Sequence, residues 1–259
     1  MKLKNAKNIS LIRTMFENPR ASERVILQRL FHKSLYPMIS EFTINGKLAF
    51  TPQQTISQLT DLQFDSTVYS NILQEYLLLT TELKVRYEGR KLLYPTTYGV
   101  ETGTALLIYY FIRTLKPKVI VETGVANGDS TYYILKALDK NNSGVLHSFD
   151  VSTNVGVLIN NDERNRWFFH IVKGNKRKSF TSQMRQIGEI DFFIHDSKHE
   201  YPWQFMEYQT AFAQLSGHGF LCSDDIDTCY AFLDFSRIHQ TSPLFLIDYR
   251  KIFGIIRKE

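Results

Sequence analysis

Beyond Tyr94-Pro95 the chain alternates short apolar runs with stretches of helical periodicity. The runs are Val119–Thr123, Val145–Asp150, Phe168–Val172, Ile190–Asp196, Gly219–Asp224, Leu244–Asp248 and Ile252–Arg257. Helical patterns follow the first five, at Ser130–Leu138, more weakly at Asn154–Asn165, then at Lys178–Ile187, Trp203–Leu215 and Thr228–Ile238, and a further helix over Gly103–Leu115 precedes them all. Strand–helix alternation of this kind predicts an α/β fold with a mostly parallel sheet covered on both faces. Only Tyr249-Arg250-Lys251 separates the last two runs, too little for a helix, so they should pair as an antiparallel hairpin at the end of a seven-stranded sheet.

Residues 1–95 have a different texture and read as a mainly helical extension, leaving residues 96–259 as the main domain. Asn18-Pro19 punctuates a first short helix, and Val25, Ile26, Leu30 and Phe31 give a second one an apolar face. Phe42–Leu48 contains Asn45-Gly46 and predicts a hairpin, because both central positions of such a turn need positive φ. Thr51-Pro52-Gln53-Gln54 reads as a helix start: a hydroxyl cap, proline in the first turn and glutamine three residues after the cap. A longer helix is expected over Ser66–Arg86, with Val68, Ile72, Leu73, Tyr76, Leu77 and Leu83 turned inward.

Composition narrows the setting. The 259 residues are 43% apolar, enough for one sizeable core. Cys222 and Cys229 supply neither a disulfide framework nor metal-ligand spacing, which predicts a reducing, cytoplasmic setting. The N-terminus lacks a signal-peptide pattern, and the longest apolar run, Ala105–Ile112, falls far short of the roughly 20 residues that span a bilayer. A net charge of +5 comes mostly from the excess of Lys and Arg over residues 1–33, read as a solvated helix face with an acidic partner as the sharper alternative.

The candidate chemistry lies at the ends of the apolar runs. In Glu122-Thr123-Gly124-Val125-Ala126-Asn127-Gly128-Asp129-Ser130-Thr131 a β-branched run ends in an acid, turns on glycines and enters a helix. Glycines there let backbone pass close to a ligand. The spacing E-x-G-x-x-x-G differs from the G-x-G-x-x-G of dinucleotide sites and suits a ligand with a sugar and a charged amino-acid tail. Asp150, ending the second run, can accept bonds from vicinal ribose hydroxyls. Gly174-Asn175, Asp196 and Asp224-Asp225 end the next three runs, so the acids should converge on one rim. Any one acid alone could simply cap a turn or a helix. Together, Asp196, Asp224 and Asp225 make a plausible hard-cation site for Mg²⁺ or Mn²⁺. His199, on the loop after Asp196, could face a substrate hydroxyl; Lys198 is a competing base, and His195 should point elsewhere. Tyr201, Trp203 and Phe205 are candidate pocket walls or, more simply, core.

Residues of roughly 96–259 resemble a class I S-adenosylmethionine-dependent methyltransferase, in particular the group of metal-dependent sugar O-methyltransferases of macrolide pathways; catechol O-methyltransferase is more distantly similar. The resemblance rests on the Glu122–Thr131 motif, Ser148-Phe149-Asp150, the D-x-x-H of Asp196 to His199, Ser-Asp-Asp-Ile at 223–226 and the terminal Phe253–Lys258 strand. It implies a Rossmann-like fold. It further implies that Glu122, Gly124, Gly128 and Ser130 line the methionine and ribose parts of S-adenosylmethionine, with Asp150 on the ribose and Asn175 near the adenine. Asp196 would serve cofactor and metal, Asp224 and Asp225 the metal, and His199 would be the general base. Ser197-Lys198 departs from the glycine and acid that related loops carry between Asp and His.

The expected partner is a small hydroxylated acceptor such as a sugar, with a homo-oligomer formed through the N-terminal helices as a further expectation. An RNA methyltransferase and a non-catalytic cofactor-binding protein are the alternatives. Methylation of exocyclic base nitrogens calls for an Asn- or Asp-Pro-Pro-aromatic turn where this chain has Asp196-Ser197-Lys198-His199, and neither cysteine follows a proline as a cytosine C5 nucleophile would.

Overall fold

The computed structural model describes residues 37–59 and 64–259; the two helices expected around Pro19 and Val25–Phe31 lie outside them. The elements run α1 (Ile39–Asn45), β1 (Lys47–Ala49), α2 (Pro52–Gln58), α3 (Ser66–Gly89), α4 (Thr102–Leu115), β2 (Val119–Thr123), α5 (Asp129–Asn141), β3 (Val145–Asp150) and β4 (Trp167–Ile171). Then come α6 (Lys176–Ile187), β5 (Ile190–His195), α7 (Tyr201–Gln214), β6 (Leu215–Ser223), α8 (Ala231–Ile238), β7 (Leu244–Asp248) and β8 (Lys251–Arg257). The sheet order is β1-β7-β8-β6-β5-β2-β3-β4. β6–β8 and β7–β8 are antiparallel and the other neighbours parallel, as a mostly parallel sheet closed by a hairpin requires.

Alternation along each strand divides the core in two. Ile120, Phe192, Ile194, Phe220 and Cys222 pack on one face with α3, α4 and α5. Val121, Phe193 and Leu221 point the other way, toward side chains of α6, α7 and α8. Strand order reverses between β2 and β5, and open α/β sheets bind ligands beyond the carboxyl ends at such a reversal. Among the described residues, no helix is long and apolar enough to cross a membrane.

Four local expectations give way to tertiary context. The expected hairpin at 42–48 is instead helix α1 followed by β1, which adds an eighth strand by pairing in parallel with β7. Gly46 is extended at φ −174°, and a Cβ on it would lie 2.3 Å from the Pro243 carbonyl oxygen, so the glycine serves close approach and not a turn. On α3 the buried stripe is Ile72, Tyr76 and Leu83, whereas Val68 and Leu77 are exposed because the helix meets α4 and α5 along a narrow line. Within residues 154–165 only a 3₁₀ turn at Asn161–Arg166 forms. The Gly156 and Leu158 amides donate to Ala126 and Asn127 carbonyls at 2.9 Å, which diverts them from a helix to the turn after β2.

The Thr51 start is as expected: Thr51 Oγ1 accepts from the Gln54 amide at 3.2 Å, although the Gln54 side chain accepts from Phe50 and not from the cap itself. Helix α3 is fastened by Arg86, only 8% exposed. Its guanidinium donates to both Glu163 carboxylate oxygens at 2.6 Å and to the Leu158 carbonyl at 2.7 Å. Burial alone would raise the Glu163 pKa, but the Arg86 bonds prevail and hold it at about 2. Arg86→Ala leaves Glu163 only Lys136, at 2.8 Å, as a cationic partner and should cost about 1.5–3 kcal/mol. Urea denaturation measures this; a loss below about 1 kcal/mol would mean that α3 is not clamped there.

Candidate active site

The turn after β2 exists in this shape because Gly124 has φ +86°. A Cβ on Gly124 would sit 1.9 Å from the Asp196 carbonyl oxygen. The Gly124 amide donates to Phe149 at 2.8 Å and the Asp196 amide to Thr123 at 2.8 Å, so the ends of β3, β2 and β5 are laced together. Gly128 also has positive φ and opens α5. Above these strand ends lies a cavity of about 850 Å³, whose wall includes residues 123–127, Asp129, Asp150, Val172, Asp196–His199, Asp225 and Lys251. The volume lies within the range of ordinary ligand pockets, roughly 300–1,000 Å³.

Most of the expected site residues line this cavity, and Glu122, Gly128, Asn175 and Asp224 do not. Asp150 does: Oδ2 accepts from the Val125 amide at 3.0 Å and Oδ1 from the Ser152 amide at 2.9 Å, which orients the carboxylate at the turn. Glu122 lies beneath the turn, fully buried, and accepts from Ser130 Oγ at 2.6 Å, Thr131 Oγ1 at 2.8 Å and Ser148 Oγ at 2.8 Å. It supports the glycine turn from behind through these three hydroxyls. Ser130 lines the cavity but spends its proton on Glu122. Asn175 is exposed and caps α6 by accepting from the Lys178 amide at 3.1 Å; its neighbour Lys176 lines the cavity instead.

The acidic rim also differs from the expected set. Among the described residues, Asp196, His199 and Asp225 bring one donor atom each within 4.8 Å of one another. His199 Nε2 stands 3.3 Å from Asp225 Oδ2 and 3.6 Å from Asp196 Oδ1. Burial disfavours charge on this imidazole, but Asp196, Asp225 and Asp224 outweigh it and raise the pKa. Asp224 is turned away, 2% exposed, with Oδ2 on the Lys251 ammonium at 2.7 Å and Oδ1 without a partner among the described residues. Burial and the neighbouring Asp196 push its pKa up. Lys251 Nζ is also 3.3 Å from Asp225 Oδ2.

A divalent ion on Asp196, Asp224 and Asp225 therefore does not fit these residues as they stand. The oxygen left open on Asp224 would favour one, but an ammonium already lies between two of the three carboxylates. At about 4 Å, even one unit of like charge costs about 4 kcal/mol at an effective dielectric of 20. The alternative set of Asp196, His199 and Asp225 would take the imidazole nitrogen that a base needs.

Several side chains of the site were not singled out from sequence. Asn127 is buried, accepts from the Leu93 and Tyr94 amides at 3.1 Å and donates to the Tyr94 carbonyl at 2.9 Å, tying the segment after α3 to the turn. Asp129 accepts from Tyr87 Oη at 2.9 Å, and burial raises its pKa to about 6. Both fall inside the glycine motif, so position could have flagged them. Glu207, mid-helix among aromatics, gave no signal, yet it accepts from Thr123 Oγ1 at 2.7 Å and Ser197 Oγ at 3.1 Å. It also pairs with His195 Nδ1 at 2.6 Å. His195 is fully buried, in keeping with its place on the strand. Lys198 turns to Glu200 at 2.9 Å on the surface. Trp203 lines the cavity, while Tyr201 and Phe205 stack in the core at 5.6 Å.

Burial raises Glu122 to about 7, against a free carboxyl near 4.5. The folded chain therefore holds a proton there that the unfolded chain has released, and this contribution to stability is lost as pH rises from about 4.5 to about 7. Glu122→Gln should flatten the pH dependence of the urea midpoint across that window. An unchanged slope would show that Glu122 is charged in the fold.

Comparison with known proteins agrees with this architecture. Residues 121–226 match the family model of a methyltransferase domain. A search of curated proteins finds no match. Among solved structures, the fold is similar to SAH-bound PaMTH1, a methyltransferase of Podospora anserina, at TM-score 0.53 and 14% identity over 76% of this chain and 98% of that one. It is also similar to a methyltransferase of Geobacter sulfurreducens at TM-score 0.50 and 13% identity over 80% and 96%. Residues 121–226 thus match a methyltransferase domain, and the fold around them is that of known methyltransferases.

Proposed function

We propose that this chain transfers a methyl group from S-adenosylmethionine to a hydroxyl oxygen of a small polar acceptor, a sugar being the class favoured, with His199 as general base. The observation that carries this reading is the placement of His199 Nε2 between Asp196 and Asp225 on the wall of the cavity that the glycine turn and Asp150 also line. Donor-binding and proton-accepting groups thus share one space.

In this reading Asp150 accepts from the ribose hydroxyls, and backbone from Gly124 to Gly128 passes under the ribose and the amino-acid tail. Asp129, on the same wall, offers a carboxylate to a positively charged amine. The acceptor hydroxyl lies against His199. Its oxygen bonds to the methyl carbon as the carbon–sulfur bond breaks, the electron pair stays on sulfur, and the hydroxyl proton passes to Nε2. Holding oxygen, carbon and sulfur in line supplies much of the acceleration.

Base catalysis at Nε2 requires the other ring proton on Nδ1. Gln204, fully buried, stands at Nδ1 at 3.3 Å through its amide nitrogen while its Oε1 accepts from Cys229 Sγ at 2.8 Å, so presenting the oxygen to Nδ1–H takes an amide flip that gives up the Cys229 bond. The tautomer follows from which orientation the substrate complex selects. A divalent ion, the other expectation from sequence, would supply charge to acidify the hydroxyl; no step here uses one, because it would compete with Lys251 or occupy His199.

His199→Ala should lower kcat by roughly 10²–10⁴ while S-adenosylhomocysteine affinity stays within about threefold of wild type. Mass spectrometry of methylated polyol acceptors and calorimetry measure the two quantities, and parallel losses in both would make His199 structural. The base works only when neutral, and neighbouring carboxylates raise its pKa. Turnover should therefore rise with pH along a limb centred above the ordinary imidazole value of about 6.5. A limb below that value, or none between about pH 5 and 9, counts against His199 as the base.

A further inference from the structure

Lys251 opens β8, directly after the hairpin turn, in register with Asp248 of β7. Its backbone is fixed by the sheet, and its side chain is only 10% exposed. The ammonium reaches Asp224 Oδ2 at 2.7 Å and Asp225 Oδ2 at 3.3 Å and forms part of the cavity wall. A lysine that merely neutralised a surface acid would be exposed, as Lys198 is beside Glu200.

We propose that Lys251 is the resident cation of this rim: it holds Asp224 and Asp225 in place, presents positive charge to the acceptor oxygen, and makes methyl transfer independent of divalent metal. The proposal rests on the methyl-transfer reading above. Its charge count is simple. Three carboxylates, on Asp196, Asp224 and Asp225, are answered by Lys251 and by one further positive charge, which sits on the donor sulfonium before transfer and on the His199 imidazolium after it. A divalent ion would add two positive charges where a single negative one is left over. Lys251 also lies outside the donor-binding turn, so its loss should leave cofactor affinity intact.

The test combines metal binding with turnover. Protein dialysed against EDTA is titrated with Mn²⁺ and followed by electron paramagnetic resonance, for wild type, Lys251→Met and Lys251→Arg. Wild type should show no saturable Mn²⁺ binding below the millimolar range and should keep full methyl transfer in EDTA. Lys251→Met should lose at least tenfold in kcat with S-adenosylhomocysteine affinity unchanged, and should gain Mn²⁺ binding as its carboxylates are freed. Lys251→Arg keeps the charge and should remain blind to Mn²⁺ while recovering part of the turnover.

Submillimolar Mn²⁺ binding by wild type overturns the proposal, as does an EDTA-sensitive wild type or a fully active Lys251→Met. The wild-type titration needs no variant to fold and no acceptor to be known. If wild type fails to bind S-adenosylhomocysteine, the methyl-transfer reading falls instead, and the Mn²⁺ result still reports on Lys251.

Discussion

The close passage of Gly124 over the Asp196 carbonyl is the contact on which the rest of the site depends. A single Cβ there would lie 1.9 Å from that oxygen, so the turn after β2 and the end of β5 that carries Asp196 can meet only through glycine. Buried Glu122 supports the turn from below through three hydroxyls, and Asp150 fixes it from the side through the Val125 amide. The proximity of the glycine turn and the Asp196–His199 segment is thus built into the sheet's point of reversal.

Charge is the second organising theme. Acids at successive strand ends converge as strand geometry demands, and such a cluster has to be neutralised. Part of the answer is internal: Lys251 lies between Asp224 and Asp225, and Asp196 and Asp225 flank the His199 imidazole. The same carboxylates that flank the imidazole also raise its proton affinity against the opposing effect of burial.

Much of this was legible in the sequence because it rests on local patterns. The strands at Val119–Thr123, Val145–Asp150 and Leu244–Asp248 have the boundaries that their apolar runs mark, and Gly124, Gly128, Asp150, Asp196, His199 and Asp225 all occupy the carboxyl end of the sheet. What escaped was long-range. Asn45-Gly46 looked like a hairpin turn, but Pro243, far along the chain, dictates the extended glycine. Asn175 and Asp224 read as ligands by position; a helix cap claims one and Lys251 the other, and neither partner is visible from spacing. Glu207 gave no signal because its partners Thr123 and His195 come from two other strands.

The most direct measurement is a calorimetric titration of the full chain with S-adenosylhomocysteine, run in parallel on Asp150→Ala. The account predicts one saturable site per wild-type chain and an affinity at least about tenfold weaker in the variant, the loss of hydrogen bonds to a charged group being worth about 1.5–3 kcal/mol. Absence of binding to the folded wild-type chain, or equal affinity in both proteins, would contradict it.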